Sequence, residues 1–156
     1  MPTCYILIGV PGSGKSTWIA KQPFDWNNTV IASTDNYVDR EATKQGKTYS
    51  DIFHATMPHA VKHMADTVRE AIQNGNDIIW DQTSTTVLAR AKKFRMLPAN
   101  YKVVGVVFKT PEQKELQRRL ANRPGKVIPP HVMSGMIRGW EEPTEAEGFD
   151  NIIYVE

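Results

Sequence analysis

The stretch Gly9-Val10-Pro11-Gly12-Ser13-Gly14-Lys15-Ser16 decides the fold. It fits the eight-position Walker A pattern at every fixed position, directly after the apolar run Cys4–Gly9 and directly before a helix-like segment. That strand–turn–helix context separates a phosphate cradle from an ordinary glycine-rich turn. Gly12 and Gly14 permit a tight turn whose N–H groups converge on phosphate oxygens at the positive end of the following helix. Gly9, Pro11, Ser13 and Thr17 complete the expected contact set. Lys15 places a charge on the β- and γ-phosphates, and Ser16 offers a hydroxyl to Mg²⁺. ATP or another nucleoside triphosphate, with Mg²⁺, is therefore the expected ligand.

Outward from the cradle, apolar β-rich runs recur at Cys4–Gly9, Thr29–Ala32, Asp77–Trp80, Val103–Phe108 and Ile152–Val155. Each is too short and too continuous for an amphipathic helix, so each reads as a buried strand. Helix-like segments alternate with them, which predicts an α/β fold: a five-stranded, mainly parallel sheet with helices on both faces. The clearest helix aligns Phe53, Met57, Ala60, Val61, Met64, Val68, Ala71 and Ile72 on one stripe and stops at Asn74-Gly75. Pro58 either kinks that helix or makes Asp51–Met57 a separate element. Thr110-Pro111-Glu112-Gln113 reads as cap, first helical position and capping-box partner of a helix running to about Asn122. Pro124, Gly125, Pro129 and Pro130 enforce a loop before a helix from about His131 to Trp140, and the acidic turn Glu141–Gly148 leads to the final strand. A chain of 156 residues of this pattern is expected to form one domain over 1–156, with a helical lid at about 111–130.

Composition narrows the class further. Hydrophobic residues make up 40% of the chain, and no apolar run approaches the ~20 residues that cross a bilayer, so membrane readings fall away. The single cysteine, Cys4, rules out an internal disulfide, and the N-terminus enters a strand with no charged leader, so a cytoplasmic protein is expected. The net charge of +2 conceals an asymmetry. Residues 1–86 carry 7 basic and 9 acidic side chains, 87–138 carry 12 and 2, and 139–156 carry none and 6. The middle stretch is the phosphate-facing candidate, although Lys92, Lys93 and Lys102 within it read as solvated surface.

A kinase also needs a base for the attacking hydroxyl. Asp35 follows the second strand, and ligands of open α/β sheets lie beyond the carboxyl ends of the strands, so Asp35 should share a crevice with the cradle. Its other reading is a helix cap within Ser33-Thr34-Asp35. Ile78-Ile79-Trp80-Asp81 brings a second carboxylate to the same edge, with Gln82, Thr83 and Ser84 behind it; Asp81 either holds Mg²⁺ through water, orients the acceptor or ends a strand. Arg119 and Arg123 lie four apart on one helical face, the make-up of a lid that closes arginine forks onto phosphate, while Arg118 also reads as a solvated helix position. His59 and His63 share that spacing, but no acid completes a zinc motif, so the four histidines read as surface or acceptor-groove residues.

Taken together, Gly9–Trp18, Ser33-Thr34-Asp35-Asn36-Tyr37, Asp81-Gln82-Thr83, Asn122-Arg123 through Ile128-Pro129, and Pro143–Phe149 resemble the kinase domain of phage and animal polynucleotide 5′-kinases. The resemblance implies the strand order of nucleoside-monophosphate kinases, Lys15 and Ser16 at the triphosphate and Mg²⁺, Asp35 as general base, Asp81 near the acceptor and Arg123 as lid arginine. It implies a nucleic-acid acceptor: a DNA or RNA 5′-hydroxyl end or, by similarity to small phage kinases, a hydroxymethylated pyrimidine in DNA. The phage-type enzyme carries an arginine three residues after the catalytic aspartate, where it helps clamp an acceptor phosphate; here that position is Val38. Arg40 is the substitute on the same segment, although two residues along a helix turn it well away. Two rivals stay open: a nucleoside, sugar or antibiotic kinase using the same cradle and base, and a nucleotide-dependent switch that needs no Asp35.

Overall fold

A computed structural model describes residues 1–156. Five strands, β1 (Thr3–Ile8), β2 (Thr29–Ala32), β3 (Asp77–Trp80), β4 (Lys102–Phe108) and β5 (Asn151–Val155), form one sheet in the order β2-β3-β1-β4-β5. Every pairing is parallel, so the expected sheet is parallel throughout. β1 lies at the centre, and the connection leaving β1 for β2 and the one leaving β3 for β4 run in opposite directions across the sheet, which opens a crevice at the carboxyl ends of β1 and β3.

Helices α1 (Lys15–Lys21), α2 (Thr34–Gln45), α3 (Tyr49–Asn74), α4 (Val87–Phe94), α5 (Gln113–Ala121) and α6 (Pro130–Arg138) connect the strands. One sheet face packs Ile6, Ile8, Ile78 and Trp80 against Met64, Val68 and Ala71 of α3, with Phe94 and Phe149 closing the layer. The other packs Leu7, Ile79, Val106 and Phe108 against Ile19 of α1, backed by Trp18 and Phe24. Strands covered on both faces explain the continuous apolar runs of the sequence.

Three expectations are corrected. α3 runs unbroken through Pro58, so Asp51–Met57 is no separate element. The helix is anchored upstream by a capping box between Thr48 and Asp51, and its stripe Ile52, Thr56, Ala60, Met64 and Val68 is buried, which outweighs the one backbone hydrogen bond that proline removes. α5 starts at Gln113 with Glu112 as an N-cap that makes no side-chain bond. The helix thus opens later than the Thr110-Pro111 pattern predicts, and Thr110, Pro111 and Glu112 line the crevice. Finally, Lys92 and Lys102 are exposed as expected, but Lys93 is only 6% exposed.

The charge asymmetry is partly consumed inside the molecule. Arg90, fully buried, donates to Glu147 at 2.8 Å, to the Glu141 carbonyl at 2.9 Å and to the Ser84 carbonyl at 2.9 Å. It ties the acidic turn to the loop after β3, where Ser84 is the one non-glycine residue with positive φ, at 47°.

Candidate active site

The cradle loop between β1 and α1 wraps one side of an open cavity of about 1180 Å³. Gly12 and Gly14 take left-handed φ of 84° and 104°, as a nest of inward N–H groups requires. A Cβ on Gly12 would lie 3.0 Å from Leu116 Cδ1, so the loop is also pressed against α5. Lys15 donates its ammonium to the Gly9 carbonyl at 2.8 Å and the Val10 carbonyl at 3.0 Å, which folds it over the loop and leaves one donor for a phosphate oxygen. Burial lowers its pKa to about 8, against the pull of Asp81 and Asp35. The Ser13 hydroxyl is buried in the cradle without a partner, a donor that fits a phosphate oxygen. Pro11, Gly12, Ser13, Gly14, Lys15, Ser16 and Thr17 line this cavity; Gly9 stands behind it, donating its N–H to the Thr83 carbonyl at 2.9 Å.

No three His, Cys, Asp or Glu side chains gather into a metal site. The Ser16 hydroxyl and Asp81 carboxylate on the cavity wall are hard oxygen donors, and Mg²⁺ is held by one or two such groups completed by water and phosphate oxygens, so the donor set fits. Burial raises the Asp81 pKa despite Lys15 nearby.

The predicted lid is α5 with the loop 122–129. Its underside, Leu116 and Leu120, packs with Val10 and Met133. Arg119 donates to the Gly12 carbonyl at 2.9 Å and to Glu115 at 2.9 Å, so it fastens the lid to the cradle. Arg118 pairs with Glu115 on the exposed side, and the two arginines hold the Glu115 carboxyl down to about 2. Arg123 borders this cavity and a second one. The loop is fastened at its far side to the start of α3, where Ser50 N–H donates to the Gly125 carbonyl and Val127 N–H to Ser50 Oγ, and to α2, where Lys126 donates to Asp39 at 2.8 Å.

The second cavity, about 490 Å³, lies between the lid loop, α3 and the loop after β3. The two cavities share Pro11, Asp35, Asp81, Gln82, Thr83, Arg123 and Lys126. Asp35 occupies the second position of α2, and the cap is Ser33, whose hydroxyl accepts from Asn36 N–H at 3.2 Å. The Asp35 carboxylate is thus free of capping. Its Oδ1 accepts from the Tyr49 hydroxyl at 2.6 Å, and burial, then this bond, push the Tyr49 pKa up.

Asp35, Asp81, Thr83, Lys15 and Arg123 therefore converge, whereas Arg40 is exposed and borders neither cavity; its position on the turned-away side of α2 removes it from the site. His54 borders the second cavity, and His63 stacks on Tyr37 with 4.9 Å between rings. Sequence reasoning missed Tyr49, Lys93, Lys126 and Arg90. Tyr49 and Lys126 are brought in by the lid's docking on α3, a contact between segments distant in sequence with no local signature.

The chain matches the model of a family described as the AAA domain over residues 5–143. Among solved structures, it is similar to a chain of the Pnkp1/Rnl/Hen1 RNA repair complex, with a TM-score of 0.66, 21% identity and 88% of this chain covered. It spans 43% of that chain, less than half its length. A putative kinase from Chloroflexus aurantiacus aligns with a TM-score of 0.68 at 16% identity, covering 99% of this chain and 84% of that one. A fungal RNA kinase aligns with a TM-score of 0.59 at 16% identity, covering 100% and 76%. The shared architecture is that of P-loop kinases. No helix is long and apolar enough to cross a membrane.

Proposed function

This chain belongs to the AAA domain family, and on that premise we propose that it is a kinase that moves the γ-phosphoryl group of ATP, or another nucleoside triphosphate, onto the 5′-hydroxyl end of a nucleic acid. The observation that carries the reading is the junction of the two cavities. A cradle for phosphates and a compartment of about 490 Å³, within the range of small-ligand sites, meet at Asp35, Asp81, Thr83 and Arg123. A nucleotide-dependent switch has no use for the second compartment or for a carboxylate at its mouth.

In this mechanism Asp35 takes the proton of the acceptor hydroxyl through the oxygen that Tyr49 leaves free. The hydroxyl oxygen attacks the γ-phosphorus in line, the bond to the bridging oxygen breaks, and the nucleoside diphosphate leaves with that electron pair. Lys15 and Arg123 face the charge on the transferring group from two sides. Ser16 would hold Mg²⁺ through its hydroxyl, and the ion would supply neutralisation of phosphate charge. Asp81 and Thr83 position the acceptor. The Pnkp1 complex and the fungal RNA kinase, named for RNA, support a nucleic-acid acceptor at the level of fold.

The test offers γ-labelled triphosphate with 5′-hydroxyl DNA, 5′-hydroxyl RNA, hydroxymethyluracil DNA and free nucleosides. Label on the 5′-hydroxyl ends is expected. Label confined to the modified base or to free nucleosides replaces the acceptor assignment, and hydrolysis without transfer to any acceptor overturns the kinase reading.

A further inference from the structure

Thr48, Tyr49 and Ser50, consecutive at the start of α3, all meet the lid loop. A Cβ on Gly125 would lie 2.8 Å from Thr48 Cβ, so the loop backbone passes close there. Ser50 N–H donates to the Gly125 carbonyl at 2.9 Å, and Ser50 Oγ accepts from Val127 N–H at 2.9 Å. Between these contacts, the Lys126 ammonium lies 4.8 Å from the centre of the Tyr49 ring while it bonds Asp39 of α2 at 2.8 Å. Phe53, one turn further along α3, supports the ring with 5.5 Å between centroids. The docked loop therefore fixes where the Tyr49 ring stands.

Tyr49 alone of the three reaches on to the chemistry. Its hydroxyl donates to Asp35 Oδ1 at 2.6 Å, within the short range of a charge-assisted bond. Burial, and then this bond, raise the Tyr49 pKa, so the phenol keeps its proton and does not compete with Asp35 as a base. Asp35 is exposed, and this is the one hydrogen bond its carboxylate makes. An exposed aspartate has several side-chain positions open to it, and the bond from Tyr49 selects one. A general base works only when aimed at the proton it takes, so a carboxylate left to rotate loses rate with its chemistry intact. Arg123 belongs to the same loop and borders both cavities, so one docking contact bears on the base and on the lid arginine together.

We propose that Tyr49 is a positioning residue through which docking of the lid loop sets the orientation of the Asp35 carboxylate. The inference rests on Asp35 being the base in the reading above and adds a regulation to that site: transfer is licensed only while the loop is seated on Thr48–Ser50. With the loop lifted, Lys126 leaves the ring, Tyr49 turns freely and Asp35 loses its bond. Nucleotide binding persists in that state, because Tyr49 borders the second cavity and not the cradle.

Two measurements on the full chain test this. Tyr49→Phe keeps the ring and removes only the bond to Asp35. Its single-turnover rate at saturating triphosphate and acceptor should fall roughly tenfold or more, with both KM values within about twofold of the parent and hydrogen exchange at the Ser50 and Val127 amides unchanged. A rate within about twofold of the parent, a loss confined to KM, or faster exchange at those amides overturns the proposal. Lys126→Met, which loosens the loop, should also lower the rate, and in the Tyr49→Phe background it should cost little more; additive losses overturn the coupling. The second measurement needs no transfer. The NMR signal of the Asp35 carboxyl carbon should shift in Lys126→Met and in Tyr49→Phe, and Lys126→Met should add little once the Tyr49 hydroxyl is gone. An equal effect of Lys126→Met in both backgrounds is the direct effect of removing a charge and overturns the coupling. If no acceptor is labelled while the Asp35 signal still follows the lid through Tyr49, the acceptor reading fails and the coupling stands. If transfer proceeds while that signal ignores Lys126, the acceptor reading stands and the coupling fails.

Discussion

Asp35 is defined as much by what it does not do as by what it touches. Ser33 caps α2, so the carboxylate carries no structural duty beyond the bond from Tyr49. Asp35→Asn keeps the size and cannot take a proton; it should melt within about 1 kcal/mol of the parent and bind nucleotide normally, yet lose roughly 10²–10⁴ in kcat. Turnover near the parental rate would remove the base from the mechanism. Arg123 borders both cavities whereas Arg119 is spent on the Gly12 carbonyl, so the two lid arginines separate. Arg123→Ala should lower kcat far more than it weakens nucleotide binding, measured by single-turnover kinetics beside a binding titration. Lys93 gives a prediction about stability. Its pKa is lowered from 10.5 to about 8, so between those values the unfolded chain binds more protons than the folded one, and stability rises as pH climbs through that window. Below about pH 8 the penalty is fully present, on the order of 3 kcal/mol. Lys93→Met should therefore be more stable than the parent at pH 7, with the advantage shrinking toward pH 10.5 in denaturant titrations.

At the scale of elements, the lid is built as a strap fastened at both ends. Arg119 and Leu116 hold it to the cradle, Gly125 holds it to the start of α3, and Lys126 holds it to Asp39 of α2. Gly125 has φ 75°, and a Cβ there would lie 2.8 Å from Thr48 Cβ, so Gly125→Ala adds strain and pushes the loop off α3. A cost of about 1–2 kcal/mol is expected. It should appear as faster hydrogen exchange at the Ser50 and Val127 amides and a raised acceptor KM, with nucleotide binding little changed. This docking also marks the limit of what sequence can disclose. β1, β3 and the cradle were legible because each signal is local: a β-branched apolar run, a glycine spacing, a lysine beside a serine. Whether Pro58 kinks α3 or divides it is open in the sequence because a local rule for proline does not weigh the buried stripe of a 26-residue helix. Lys93 reads as surface beside Lys92, since nothing in α4 reveals that Trp80 and the acceptor cavity lie beneath one lysine and solvent above the other.

For the whole molecule, the charge asymmetry of the sequence resolves into two uses. Part of the basic surplus is neutralised internally, Arg90 by Glu147, Arg118 and Arg119 by Glu115, and Lys126 by Asp39. What remains near the acceptor compartment is Arg123 and Lys93, which no carboxylate balances. This small residue of uncompensated charge sets how strongly the acceptor should depend on salt. Two phosphate contacts on a single-stranded end release counterions with a slope near −0.7 per contact, so raising salt tenfold should weaken an oligonucleotide acceptor by roughly 25-fold. A bare nucleoside presents no phosphate and should show a flat KM over the same range. The comparison is made at saturating triphosphate, so that the donor's own salt dependence does not enter. A steep slope for the oligonucleotide beside a flat one for the nucleoside assigns the acceptor's salt dependence to the uncompensated positive charge of this cavity. Equal, shallow slopes for oligonucleotide and nucleoside would instead make the acceptor a small neutral molecule and return the second cavity to a sugar or nucleoside kinase.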